Sequence, residues 1–269
     1  MDALRQIDGW PAGRKAAGAV RVDGRRQTRG ETTTRLPWAS VSKLVSALAV
    51  LVAAEEGIVE LDEPAGPPGS TVRHLLAHTS GLPFEGTSPI GRPGQRRVYS
   101  NAGFGVLGDL VAARAEMPFA AYVAAGVLGP LGTAAELVGH PGSGVEGTLD
   151  DLLAVGRELL APTVVAAETL AEATTLQFPG LDGVLPGFGR MAPNDWGLGF
   201  ELRDGKAPHW TAPANSPLTF GHFGRSGTFL WVDPEAGLAL GALTDEPFGD
   251  WAKEAWPRLG DAGLAETAR

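Results

Sequence analysis

One run of residues constrains this chain more than any other. From Leu44 to Ala54 every residue is Ala, Leu or Val except Ser46, with Pro37 before the run and Gly57 after it. That punctuation marks the start and stop of a helix, here from about Ser40 to Glu56. A helix that is apolar on all sides belongs in the interior of a protein. It is too short, and too polar at its ends, to span a bilayer. The fold must therefore wrap this rod from every direction. Ser40 and Lys43 then become polar groups at the mouth of a buried helix, a costly placement unless they are paired or used.

The flanking sequence indicates what does the wrapping. Residues 1–15 read as a short helix and a loop. Residues 16–22 read as a strand, Asp23-Gly24 as a hairpin turn, and residues 25–34 as the return strand. After the central helix, Ser70-Thr71 caps a short helix over residues 72–78, and a Gly/Pro-rich loop follows from Gly81 to Arg97. Helical spacing covers residues 103–116 and 119–128. Residues 139–147 read as a loop. Thr148 caps a helix over 149–160, and residues 163–176 read as another. Residues 180–195 form a long Gly/Pro-rich loop of the kind that is usually functional. Strands are expected over 196–202, 218–222, 228–233 and 238–243, and a final helix over 248–268, interrupted at Pro257 and Gly260. Strands, then helices, then strands and a helix describe an α+β protein with an antiparallel sheet and a mainly helical insertion. The expected division is an α/β part over 1–56 that includes the central helix, a helical insertion over 57–195, and the rest of the α/β part over 196–269.

Composition narrows the function. The formal net charge is −9, which disfavours binding to a phosphate backbone, so no nucleic-acid partner is expected. With no cysteine there is no disulfide framework and no thiolate metal site. The first residues lack a basic segment followed by an apolar core, so neither a signal peptide nor a membrane span is expected, which points to a cytoplasmic protein. Lysine is scarce (Lys15, Lys43, Lys206 and Lys253), so one inside an apolar helix stands out.

Three short motifs can carry chemistry. In Ser40-Val41-Ser42-Lys43 the hydroxyl of Ser40 and the amine of Lys43 sit at i and i+3 and share a helix face. The helix N-terminus favours a developing negative charge, and burial lowers a lysine pKa toward a useful base. The plainer alternative is a capping serine beside a snorkelling lysine. Ser42 is a competing serine, though its side chain points around the helix from Lys43. In Tyr99-Ser100-Asn101 a buried tyrosine facing Lys43 would have a lowered pKa and serve as a general base, and Asn101 would hold the lysine or a substrate carbonyl. A helix cap beside a core tyrosine fits the same residues. In Gly221-His222-Phe223-Gly224-Arg225 glycines on a strand allow close approach of a substrate or another backbone; a bulged strand with a structural histidine is the alternative. His74 and His78 have metal-pair spacing but no third ligand nearby, and no metal or cofactor is expected.

Taken in order, Ser-x-x-Lys, Tyr-x-Asn and His-x-Gly resemble the motifs of the serine β-lactamase and penicillin-binding-protein superfamily, in the form found in class C β-lactamase-like serine hydrolases. The segment His74-Leu75-Leu76-Ala77-His78-Thr79-Ser80-Gly81-Leu82 is similar to that family's HLLxHTSGL stretch, and Leu128-Gly129-Pro130-Leu131-Gly132 and Trp231-Val232-Asp233-Pro234-Glu235 extend the likeness to roughly residues 16–265. The resemblance implies a β-lactamase/transpeptidase-like fold with its active site at the seam between sheet and helical insertion. It implies that Ser40 is the nucleophile and forms an acyl-enzyme, and that Lys43 and Tyr99 share the proton work. Asn101 would position Lys43 and the substrate amide, and the N–H groups of Ser40 and Arg225 would form the oxyanion hole. His222 would stand where a lysine usually sits, with Gly224 beside it. Phe223 and Arg225 replace smaller residues and would crowd or recharge the pocket. The expected substrate is a small ester, amide or β-lactam, with a carboxylesterase, a D-amino-acid peptidase and a non-turnover β-lactam or peptide receptor as the other readings.

Overall fold

The computed structural model describes residues 1–267. Its strands are β1 (Lys15–Arg21), β2 (Arg26–Gly30), β3 (Leu36–Pro37), β4 (Glu136–Leu137), β5 (Val145–Gly147), β6 (Gly183–Leu185), β7 (Gly189–Met191), β8 (Glu201–Leu202), β9 (Phe220–Gly224), β10 (Thr228–Asp233) and β11 (Leu238–Thr244). Its helices are α1 (Ser42–Glu55), α2 (Val72–Leu76), α3 (Asn101–Ala115), α4 (Phe119–Val123), α5 (Leu149–Leu160), α6 (Ala167–Ala173) and α7 (Asp250–Thr267). Short 3-10 turns cover Asp2–Gly9 and Ala39–Val41, and α4 runs on into a π-turn over Ala124–Leu128.

The main sheet has the order β2-β1-β11-β10-β9-β8, antiparallel throughout. Both of its faces are covered, and alternate residues on one strand therefore go to different cores. On β10, Leu230 and Val232 join the core around α1, whereas Phe229 and Trp231 join a second core with Trp210 and Trp256. On β1, Ala16 and Val20 go one way and Ala17 and Ala19 the other. Helix α5 lies close against the sheet because glycines leave room for it. A Cβ on Gly18 would stand 2.7 Å from Leu153, and one on Gly156 would stand 3.1 Å from Ala239. Helix α7 and the N-terminal 3-10 turn cover the other face.

Helix α1 is the buried rod that its composition implies: every residue from Ser42 to Ala53 is buried. An α+β fold with an antiparallel sheet flanked by helices is thus present. Several boundaries differ from expectation. Residues 139–147 are not wholly loop, since Val145–Gly147 pairs with both β3 and β4. The Gly/Pro-rich stretch 180–195 contains the β6–β7 hairpin. Only Glu201–Leu202 of the expected strand 196–202 joins the sheet. At Gly199, with φ +87°, the chain bends so close to α1 that a Cβ would stand 2.4 Å from that of Ala47. The helix expected over 163–176 shrinks to α6 because the Glu158 carboxylate accepts the N–H groups of Thr163 and Val164, holding them in a turn. The final helix is not interrupted. It runs through Pro257, and Gly260 lets it sit on Ala212, where a Cβ would approach to 2.7 Å. Residue 268 of that expected helix lies outside the described residues. Among the described residues no single helix is long and apolar enough to cross a membrane.

Candidate active site

Ser40 does not open the α-helix. It sits on the Ala39–Val41 3-10 turn, and α1 begins at Ser42. The turn is entered through buried Trp38, whose N–H donates to the Val145 carbonyl at 2.9 Å, and through Ala39 at φ +46°. A left-handed alanine is strained and persists only where its surroundings impose it. Here the close approach of Gly224 does so, since a Cβ at that position would meet Trp38 O at 2.5 Å and the Ala39 Cβ at 3.0 Å. The competing serine is occupied: the Ser42 hydroxyl accepts the Val145 N–H at 2.9 Å.

Lys43 is fully buried, on the first turn of α1. Its Nζ donates to Asn101 Oδ1 at 2.5 Å and to the Gly142 carbonyl at 2.8 Å, and it lies 4.7 Å from the centre of the Tyr99 ring. Neither acceptor is an anion. Burial therefore dominates and holds the Lys43 amine well below the ordinary lysine range. The Gly142 carbonyl is a partner that sequence reading missed. The only signal was the glycine spacing of Gly139-His140-Pro141-Gly142-Ser143-Gly144, where a Cβ on Gly142 would stand 3.2 Å from Nζ.

Tyr99 lies just before α3. Ser100 caps that helix by accepting the Gly103 N–H, and Asn101 is its first residue. The Tyr99 hydroxyl lies 3.3 Å from His222 Nε2. The His222 Nδ1 lies 2.7 Å from the Phe223 carbonyl oxygen, which can only accept, so Nδ1 carries the ring proton and Nε2 accepts from the phenol. Burial above all pushes His222 down to about 3, so the imidazole is neutral. The expectation that Tyr99 would have a lowered pKa is overturned. Burial raises it, and the Ser40 hydroxyl beside it offsets this only in part. The reason is geometric: Lys43 faces the ring of Tyr99 and is itself driven toward its neutral form, so no fixed cation stabilises a phenolate.

The third motif lies on β9, where His222 is opposite Leu230 and Gly224 opposite Thr228. Gly224 brings this strand against the Ser40 turn, so that a Cβ on it would stand 3.2 Å from Ser40 N. Arg225 follows in the β9–β10 turn, exposed, with its carbonyl accepting the Phe248 N–H. Phe223 forms part of the cavity wall. It turns into the second core, 4.9 Å from Phe248 and in edge contact with Phe188.

These groups surround a cavity of about 880 Å³ bordered by Ser40, Tyr99, His222 and Arg225 and walled by Phe84, Ile90, Leu185, Pro186, Phe223 and Phe248. The β6–β7 hairpin supplies one wall, tied to the Tyr99 segment by a bridge between Gly183 and Arg97. Trp196 lies under the site, with its ring 5.8 Å from Tyr99 and 5.5 Å from His222. Beside it Glu201 accepts from Trp210 at 2.8 Å, from His209 and from Lys206. Burial alone would raise Glu201, but His209 and Lys206 more than offset it and hold it at about 2. Sequence reading missed this cluster because nothing in the spacing of residues 196–210 signals that they share one pocket. His74 and His78 do not share a helix face: α2 ends at Leu76, and His78 sits beyond it at φ +57°.

The β-lactamase family model matches residues 7–136 and 132–264. The chain belongs to the β-lactamase family. A solved relative, described as a beta-lactamase (Mb2281c) from Mycobacterium bovis, is 52% identical over 99% of this chain and 100% of its own, with a TM-score of 0.98. Simvastatin synthase (LovD) from Aspergillus terreus, in its LovD6 mutant, shares the fold at a TM-score of 0.79 and 17% identity, over 99% of this chain and 94% of its own. SurE, solved with D-Leu, does so at 0.79 and 20%, over 98% and 74%. A search of curated protein sequences finds no match. As a β-lactamase-like serine hydrolase, the chain carries its Ser-x-x-Lys, Tyr-x-Asn and His-x-Gly motifs on three separate elements that converge on one cavity.

Proposed function

We propose that this protein cleaves an ester or amide through an acyl-enzyme on Ser40. The observation that carries the reading is Lys43: a fully buried amine held by two neutral carbonyl oxygens one helical turn from Ser40. Its lowered pKa suits it to take the Ser40 proton as Oγ attacks the substrate carbonyl. The oxyanion that forms would be met by the N–H groups of Ser40 and Arg225. Collapse expels the alcohol or amine, which regains a proton from the Lys43 ammonium by way of the Tyr99 hydroxyl. At rest the Tyr99 phenol donates to His222 Nε2. In this step its O–H turns to the leaving atom and gives up its proton as it takes one from Lys43, so it relays as a neutral phenol and not as a phenolate base. Water then attacks the acyl-enzyme with the same groups in reverse roles.

The apolar walls and the neutral His222 favour an acyl group without charge near the reacting carbonyl. An ester is the first choice, ahead of a β-lactam whose carboxylate would seek a cation at that place. A second reading, a D-amino-acid peptidase, draws on Arg225, an exposed cation bordering the cavity that could receive a substrate carboxylate. Turnover of a short-chain nitrophenyl ester, a chromogenic cephalosporin and a D-amino-acid amide should be compared in wild type and Ser40→Ala. Hydrolysis of the ester that vanishes in Ser40→Ala supports the proposal, and equal rates in both proteins would sink it. Intact-mass spectrometry with a penicillin separates turnover from a permanent adduct, the mark of a receptor.

A further inference from the structure

We propose that His78 is a positioning residue that holds Tyr99 between Ser40 and His222, a role that rests on the one proposed above for Tyr99.

His78 grips the chain on both sides of Tyr99. Its carbonyl accepts the Val98 N–H at 2.8 Å, and its ring Nδ1 accepts the Ser100 N–H at 3.2 Å. The ring between these two bonds packs on the Tyr99 ring, with centroids 4.7 Å apart. One residue thus fixes the backbone before and after Tyr99 and the face of its side chain. Asn101 is anchored elsewhere, through its N–H to the Phe84 carbonyl, so the grip is on Tyr99 and not on the whole motif.

Two features indicate that a histidine is held here at a cost. The residue has φ +57°, a conformation most side chains avoid. Its Nε2 is buried with no hydrogen-bond partner among the described residues, walled by Trp196 at 4.6 Å in edge contact and by Phe104 at 5.6 Å. An apolar residue would fill that space without an unsatisfied polar atom. What it would lack is the acceptor for Ser100 N–H. Because Nδ1 accepts, the ring is the neutral Nε2–H tautomer. Burial holds it neutral, so the acceptor stays available.

The test is a mutant cycle on a nitrophenyl butyrate, using His78→Leu, His78→Asn, Tyr99→Phe and the His78→Leu/Tyr99→Phe pair. Asparagine tolerates a positive φ and offers Oδ1 in place of Nδ1. His78→Leu should lower kcat by about 100-fold through misplacement, with KM changed less than about 3-fold. His78→Asn should recover most of that loss. In the Tyr99→Phe background His78→Leu should cost less than about 3-fold more, because the hydroxyl it positions is already gone. An undiminished loss in that background, or His78→Asn as slow as His78→Leu, overturns the proposal. Should His78→Leu fail to fold by thermal unfolding, His78→Gly, which accepts the backbone conformation, takes its place in the cycle. Wild-type rates in Tyr99→Phe would instead overturn the role of Tyr99 itself, a failure that Ser40→Ala would not share.

Discussion

Gly224 and Ser40 touch across the cleft: a methyl group on the Gly224 α-carbon would stand 3.2 Å from the Ser40 nitrogen and closer still to the Trp38 carbonyl oxygen. Strand β9 and the Ser40 turn are therefore packed backbone to backbone. The turn's strained Ala39 is held by that contact. The proposed oxyanion site would use the N–H of Ser40 and that of Arg225, the residue after Gly224.

Gly224→Ala should push β9 away from Ser40 and spoil the proposed oxyanion site. Loss of one such donor costs about 10²–10³ in kcat, and a fall in that range is expected on a nitrophenyl ester. A variant that keeps more than a tenth of wild-type kcat would argue against a hole at this position.

Lys43 leads to a pH prediction. Its pKa is lowered by burial, so the amine loses its proton well below the ordinary lysine range. A base must be unprotonated to act, so kcat/KM should rise with pH through that lowered value and then level off. Lys43→Arg, which cannot release a proton in this range, should lose about 10²–10⁴ in rate and the rising limb with it. A pH–rate series from acid to alkaline buffers checks both points. An unchanged profile in Lys43→Arg would remove the lysine from the proton work.

Glu201 leads to a prediction about stability. Its folded pKa of about 2 lies below the ordinary 4.5, so its contribution is fully present above pH 4.5 and is lost as pH falls from there toward 2. His222 acts in the same sense: its folded value of about 3 lies below 6.5, so acid destabilises the fold as pH falls through that window. Glu201→Gln leaves Lys206 buried without its anion and should cost about 3–5 kcal/mol. Urea unfolding at neutral pH measures the loss, and the acid sensitivity of the variant below pH 4.5 should be weaker than that of wild type.

Much of the candidate site's geometry was legible in order along the chain. Ser40, Lys43, Tyr99, Asn101, His222, Gly224 and Arg225 all come to one place, and the buried helix is buried. Polarity inside an apolar run and glycine inside a strand are local signals, and they survive folding. Charge states did not read as well. The sequence suggests that Lys43 lowers the Tyr99 pKa, but the outcome depends on which part of the tyrosine the amine meets and how dry the pocket is. Neither is a property of spacing.

The hidden partners were of the same kind. The Gly142 carbonyl that holds Lys43, the Trp196 floor and the two-sided grip of His78 on Tyr99 join residues far apart in the chain. Backbone carbonyls and aromatic faces have no residue code, so they cannot be seen before the chain closes on itself.

The sequence by itself determined that a helix without a polar face must be enclosed, and that Ser40 and Lys43 must emerge at its end. Hydrophobic patterning suffices for that, because burying such a run is favourable in any fold that can cover it. Only the tertiary structure decided the start of α1 at Ser42, the strained turn that presents Ser40, and the neutral state of His222. Those follow from backbone contacts and loss of water, which exist only once β9, α1 and the Tyr99 segment have met.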